Sequence, residues 1–472
     1  MKHRTLLSTF ATVLLAITAA GAAQAASKKP PPAPGNGWSG AAAISPVNQP
    51  DPTRGSQLND VAVNASGAAI AAWDQYTYSG SGGATIGAAA QSAGKWGAPF
   101  TISDTNGFAL SPKVAIGVDG TMAVSWTYQD PIALPSPQQK IQVAVKPAGA
   151  TAWTTTTLAQ GPIGGVAIIG IVPVAVDPNG KVTVAWTLWN GANHVVQSAS
   201  LPKGGVWSAP VELAPGSDGL YLSLALNANG DAAVAFTGSP YSSYLSGTSA
   251  QYVFRSRLTG TWTTPVTVSE TMPSTVGYIT SPIVALDANG LATVAYMGYG
   301  VEAVRQLSDG RWPPPKPRTV LQALNRVSSY LSPDLAVDST GNAVVVVSIF
   351  DATIGVDRAS VWVALGTPDG TWTPQQRITD PTVPVDAYAT RAAVSPDGAL
   401  ALAGWIDHYH GTVQVSKLSG GTWGTANTIG RNVAWSSFQD ALGLDVSSGT
   451  VARAIWKSAK TGTQTMATSY GP

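Results

Sequence analysis

Two markers alternate along this chain at nearly regular spacing, and any fold proposed for it has to accommodate them. The first is a turn glycine inside an apolar stretch, as in Val174-Ala-Val-Asp-Pro-Asn-Gly180 followed by Lys-Val-Thr-Val-Ala-Trp186. Copies place the glycine at Gly67, Gly120, Gly180, Gly230, Gly290, Gly341, Gly398 and Gly449, 50 to 60 residues apart. The second marker is a tryptophan, usually after Gly or a Gly-x pair: Trp38, Trp96, Trp153, Trp207, Trp262, Trp312, Trp372 and Trp423. Repetition at this period means that each unit buries its apolar face against its neighbours.

Each unit reads as four short strands. The run before the glycine is apolar with β-branched residues, which suits a strand. Asn or Asp stands three residues ahead of the glycine in five copies (Asn64, Asp177, Asn227, Asp287, Asp338). Such a side chain bonds the turn backbone, and the glycine takes positive φ. The second strand ends in an aromatic: Trp73, Trp126, Trp186, Phe236, Tyr296, Trp405 and Trp456, with Val347 in the sixth copy. A third strand follows, such as Val195–Leu201, then a Gly-rich turn into the tryptophan strand. Four strands in each unit of this length is the blade pattern of a β-propeller. The expected fold is all-β, an eight-bladed propeller over residues 37–472. The tryptophan marker at Trp38 precedes any complete blade, and the last repeat ends after its third strand, near Tyr470. The N-terminal strand is therefore expected to close the last blade, leaving no open sheet edge.

Residues 1–25 read as a secretory leader: Lys2 and Arg4, an apolar run from Leu6 to Ala20, then Ala23-Gln24-Ala25. Residues 26–36 read as a proline-rich linker, on the cluster Lys28 to Gly37. The expectation is a protein exported to the periplasm or the medium, with no later membrane span. The absence of cysteine excludes thiol catalysis and zinc–thiolate sites. Loss of the leader's Lys2 and Arg4 takes the formal net charge from +1 to −1. A near-neutral chain carries no footprint for nucleic acid.

The first-to-second and third-to-fourth turns are short and nearly constant. The second-to-third loops and the links between blades vary, and variable loops on a rigid scaffold are where binding usually resides. Aromatic and polar residues gather there: Asp74, Tyr128, Asp130, Trp189, Asp407, His408, Tyr409, Arg391 and Trp435 are the candidate ligand-binding residues. Aromatic faces beside carboxylates suit sugar rings, which offer C–H patches and hydroxyls. The two marker series take up 13 of the 16 tryptophans, leaving Trp189, Trp362 and Trp435. Trp189 and Trp435 fall in loops, and Trp362 falls in a third strand as packing. No cofactor is expected. His408 and His410 are too few for a zinc site, whereas a calcium ion among loop aspartates is left open.

The turns Thr367-Pro-Asp369-Gly-Thr-Trp372 and Ser308-Asp309-Gly-Arg-Trp312 resemble degenerate copies of the Asp-box of sialidase-like propellers, and with the leader the expectation is an exported bacterial protein. The other blades lack the Asp, as in Gly94-Lys-Trp96. The resemblance implies the repeat architecture. It implies no activity, because the family's Phe/Tyr-Arg-Ile-Pro motif is absent and the only glutamates are Glu212, Glu270 and Glu302. Two function classes follow. One is a non-enzymatic module binding carbohydrate, or a protein ligand as an interaction scaffold. The other is a polysaccharide-degrading hydrolase or lyase with an aspartate-based site.

Overall fold

The computed structural model describes residues 37–46, 59–77, 83–131, 134, 136–162, 170–189, 194–215, 218–239, 247–273, 279–315, 319–321, 333–350, 358–434, 441–447, 451–459 and 464–471. The leader and the linker expected from the sequence lie outside them, as does Trp435.

Among the described residues the regular elements are all β-strands, arranged as consecutive antiparallel meanders. Five sheets have four strands and one has five. The remaining sheet has nine strands, because two meanders are joined by one parallel bridge pair, Ala84 opposite Phe108. The first strands of successive meanders are Asn59–Val63, Phe108–Ile116, Val174–Val176, Asp218–Leu226, Thr280–Leu286, Asp334–Val337, Ala387–Val394 and Leu442–Val446. Each packs against the next, and Leu442–Val446 packs against Asn59–Val63.

The turns follow the expected chemistry. Asp177 Oδ1 accepts the backbone N–H groups of Asn179 (2.8 Å) and Lys181 (2.9 Å), and Gly180 has φ +79°. Asp287 does the same for Asn289 and Leu291, and Asn64 for Ser66 and Ala68.

Every second strand is buried on both faces, because each sheet is covered by a neighbour on either side. Small residues on one face let the sheets approach, and a large one on the other fills the gap. Trp126, Trp186, Phe236 and Tyr296 have no exposure at all. Burying an indole of roughly 200 Å² at ~25 cal/mol/Å² contributes on the order of 5 kcal/mol. The apolar residues form clusters that each draw on two successive meanders, including one that joins Ile455 and Ala467 of the last to Val61, Ala71 and Trp73 of the first. Glycine is required at Gly87 for this packing, since a Cβ there would collide with the Trp73 indole.

The N-terminal strand Ala42–Ala43 completes the last four-stranded sheet by pairing with Gln464–Tyr470, Ala42 opposite Ala467. The Ser39 N–H donates to Ser469 at 2.7 Å and the Ile44 N–H to Thr465 at 2.9 Å. The ring of Trp38, the first tryptophan marker, lies 5.4 Å from that of Tyr470.

Candidate functional site

The position seven residues before the turn glycine holds Asp60, Lys113, Ser223, Ile283, Asp334 and Arg391 in six of the units. These side chains line one cavity of about 650 Å³, together with Gly170 and Ile171 of the third meander and Leu444 and Asp445 of the last. The first strand of each meander, or the residues just ahead of it, therefore contributes to the wall. Following chain order, the wall has two arcs. Asp334, Arg391, Asp445, Asp60 and Lys113 form a charged arc running from the sixth meander through the last to the second. Ile171, Tyr221, Leu222, Leu224, Pro282 and Ile283 form an apolar arc from the third to the fifth.

The charged arc also fastens the first strands together. Successive first strands do not pair with each other, so side chains bridge them. Asp60 Oδ2 accepts the Val114 N–H at 2.9 Å, Asp334 Oδ2 the Ala392 N–H at 2.9 Å, and Asp445 Oδ2 the Val63 N–H at 2.8 Å. On the apolar arc, Ser223 Oγ accepts the Val284 N–H at 2.9 Å. Burial among these strands raises Asp445 to about 7, and the nearby Asp60 carboxylate adds to the rise against the pull of the Val63 and Val446 N–H groups. Burial also raises Asp334, although Arg391, Lys113 and two backbone N–H groups oppose it.

Four of the first strands carry a register shift two residues before the cavity position. The bulged residues are Ser111 (φ +59°), Tyr221 (+50°), Ser281 (+50°) and Ala389 (+50°). A non-glycine residue in the left-handed region costs roughly 1–3 kcal/mol, and such residues gather where a side chain has to be re-aimed. Tyr221 is the result with most consequence: it is 57% exposed and lines the cavity.

Of the sequence candidates that fall among the described residues, the structure brings only Arg391 to this cavity. Its Nε donates to the Leu442 carbonyl at 3.0 Å and its Nη1 to that of Thr390 at 3.3 Å. Asp74 lies in the interior with no exposure, where Lys457 Nζ donates to its Oδ1 at 2.7 Å and to its carbonyl at 2.6 Å. Tyr128 is buried beneath Lys140, whose Nζ lies 5.1 Å from the ring and 2.8 Å from Asp130. Asp130 also accepts the Gln138 N–H, so these residues brace one hairpin. Trp189 ends the strand Val182–Trp189, its ring 4.8 Å from that of His194.

Asp407, His408 and Tyr409 do come together, in the second-to-third loop of the seventh meander. Asp407 is buried, its Oδ2 2.5 Å from His410 Nδ1, and it accepts the N–H groups of Tyr409 and Asp386. His408 stacks on Tyr388 with centroids 4.6 Å apart, and burial lowers its imidazole to about 4. Tyr409 is 40% exposed, with the Arg358 guanidinium 4.5 Å from its ring centroid. No group of three or more histidines and carboxylates suited to a metal ion occurs among the described residues. Among them, too, no helix is long and apolar enough to cross a membrane.

Sequence reading missed Asp60, Asp334, Asp445 and Tyr221. A signal for two of them was present. Asp60 and Asp334 interrupt otherwise uncharged first strands at the same place in the repeat, and Lys113 and Arg391 interrupt theirs at that place too.

No protein-family model matches the chain. No curated protein matches it either. Among solved structures it is similar to a polysaccharide lyase, at 10% identity and TM-score 0.48, covering 74% of this chain and 88% of the lyase. It is similar to a Hadza microbial sialidase at 11% identity and TM-score 0.39, covering 87% of this chain and 65% of the sialidase. A third is an α-L-arabinanase of Penicillium chrysogenum complexed with arabinobiose, at 14% identity and TM-score 0.42, covering 69% of this chain and 98% of the arabinanase. None of these likenesses bears on which residues act here.

Proposed function

We propose that this chain is an exported, eight-bladed β-propeller that binds a saccharide in the cavity where its innermost strands converge. The contact of each first strand with the next, and of the last with the first, supports the ring. One observation carries the binding reading: a cavity of about 650 Å³ sets a charged arc opposite an apolar arc that holds an exposed tyrosine, Tyr221. A sugar ring needs both, carboxylates and cations for its hydroxyls and a flat apolar surface for its C–H face.

The test is a glycan array with the protein lacking residues 1–25, with and without calcium, followed by Tyr221→Ala. Selective binding to a few glycans, weakened about tenfold or more by Tyr221→Ala, is the expected result. Binding that survives both Tyr221→Ala and Arg391→Ala unchanged would move the site elsewhere.

Hydrolysis is the second reading, favoured by the Asp445 carboxyl. A carboxyl raised to about 7 beside a second carboxylate is suited to donate a proton to a leaving group. Turnover of a polysaccharide that Asp445→Asn abolishes, with binding retained, would establish it.

A further inference from the structure

We infer that the outer strand of the second meander is a docking edge for an extended peptide of a partner protein, one that carries apolar side chains at alternate positions. This edge shares no lining residue with the saccharide cavity, so the two readings are tested independently.

The strand Thr154–Pro162 is nine residues long. Among the described residues, the outer strands of the other meanders have two to five. Thr154–Pro162 pairs with Gln138–Lys146 on one side and ends its sheet on the other. The N–H and C=O groups of every second residue in such a strand point away from its partner. Exposed edges are ordinarily guarded by charge, by proline or by a bulge. Here the register shift at Leu158 and the proline at Pro162 guard the second half. The first half, Thr154-Thr-Thr-Thr157, has no charge and no proline, and Thr154, Thr155 and Thr157 are exposed. Four β-branched residues in a row favour an extended backbone.

A cavity of about 340 Å³ lies beside that half. Thr154 and Thr156, one face of the run, line it with Val145 and Pro147 of the same meander and with Pro202, Val206 and Trp207 of the third. Val206 is 83% exposed. Lys203 is the one charged residue among those lining the cavity, and its Nζ lies 2.8 Å from Asp119. A strand added to the edge continues the pleat, so every second side chain falls on the face of Thr154 and Thr156, toward the cavity. Matching the edge takes a polypeptide backbone, and filling the cavity takes apolar side chains on that face. A second copy of this chain, paired antiparallel edge to edge, would bring only Thr154 and Thr156 to that face. Threonines are too small and polar for the cavity, and the run is too short to bury the roughly 1,200 Å² of a stable dimer.

The experiment is fluorescence anisotropy with the protein lacking residues 1–25. The probes are two pools of labelled peptides of about ten residues, equal in composition. One pool alternates Leu, Val, Ile or Phe with Ser or Thr, and the other groups its apolar residues together. The expected result is that members of the alternating pool bind about tenfold or more tightly than those of the grouped pool. Binders are then remade with N-methyl groups on the even or on the odd peptide bonds. Only one of the two sets should lose binding, because an added strand turns alternate N–H groups to the edge. Val206→Asp, a change at an exposed residue, should weaken the binders about tenfold with Tm unchanged. Equal binding of the two pools, or no binding by either, would overturn the inference. So would loss of binding in both N-methyl sets or in neither, or indifference to Val206→Asp. Sedimentation velocity without peptide should show a monomer. A dimer that the peptides dissociate would give the edge to a second copy and overturn the assignment to a partner protein.

Discussion

Asp445 accepts the backbone N–H of Val63 at 2.8 Å, although 382 positions of sequence separate them. The bond joins the first strand of the last meander to that of the first, at the wall of the cavity. Its carboxyl is raised to about 7, above the ordinary 3.8. For an acid raised in this way the folded state binds more protons than the unfolded one between the two values. Its stabilising contribution is complete below about 4 and is lost as pH rises through about 7. Asp445→Asn should remove that dependence and keep one acceptor for the Val63 N–H. The expected outcome is a Tm advantage over the parent protein at pH 8 that shrinks toward pH 5. An advantage of the same size at both values would show that Asp445 is ionised throughout.

His408 should act in the opposite sense. Burial lowers it to about 4 from 6.5, so its neutral form is favoured in the fold. Its contribution is present above 6.5 and is lost as pH falls through about 4. Denaturant titrations at pH 7 and 4.5 should show His408→Gln losing less stability than the parent protein, by roughly 2 kcal/mol. Equal losses would mean that the imidazole beside Tyr388 protonates freely.

Asp74 tests a residue placed differently by the sequence and the structure. Its sequence position suggested a ligand contact, and in the fold it pairs with Lys457 at 2.7 Å with neither side chain exposed by more than 8%. Removing one partner strands a buried charge. Asp74→Ala should therefore cost about 3–5 kcal/mol in chemical denaturation. Asp74→Ala with Lys457→Met should recover much of that. A variant with unchanged stability and weakened ligand binding would restore the first assignment.

The N-terminal strand makes a similar long-range claim. Trp38 is 9% exposed and Ile44 4%, and both pack against the last meander or its neighbours. Trp38→Ala should cost about 3–5 kcal/mol. Deleting residues 37–45 should lower the melting point further, because it also leaves the edge of Gln464–Tyr470 unpaired. A deletion variant that melts with the parent protein would contradict the pairing.

Much of the architecture was legible because it is local and repeated. The Asx turns at Asp177 and Asp287, the buried aromatics from Trp73 to Trp456 and the pairing of the N-terminal strand with the last repeat all follow from spacing. The cavity itself was not read from the sequence, which placed binding in the variable loops and the links between blades. Arg391 was singled out for its place in a link between blades, and the structure puts it in a first strand. Asp60 and Asp334 passed as ordinary strand residues because each is a lone charge in its own strand.

The sequence by itself determined the kind of strand unit and the tie between the two ends. Those depend on residue size and turn chemistry within about 60 residues, or on a marker left without its partner. Only the tertiary structure decided which charges meet. Asp334, Arg391, Asp445, Asp60 and Lys113 come from five different repeats. Their proximity depends on how successive sheets pack and on bulges at Ser111 and Ala389 that have no signature in residue type. Desolvation and Coulomb coupling act through space, so the perturbed carboxyl of Asp445 exists only once those strands have converged.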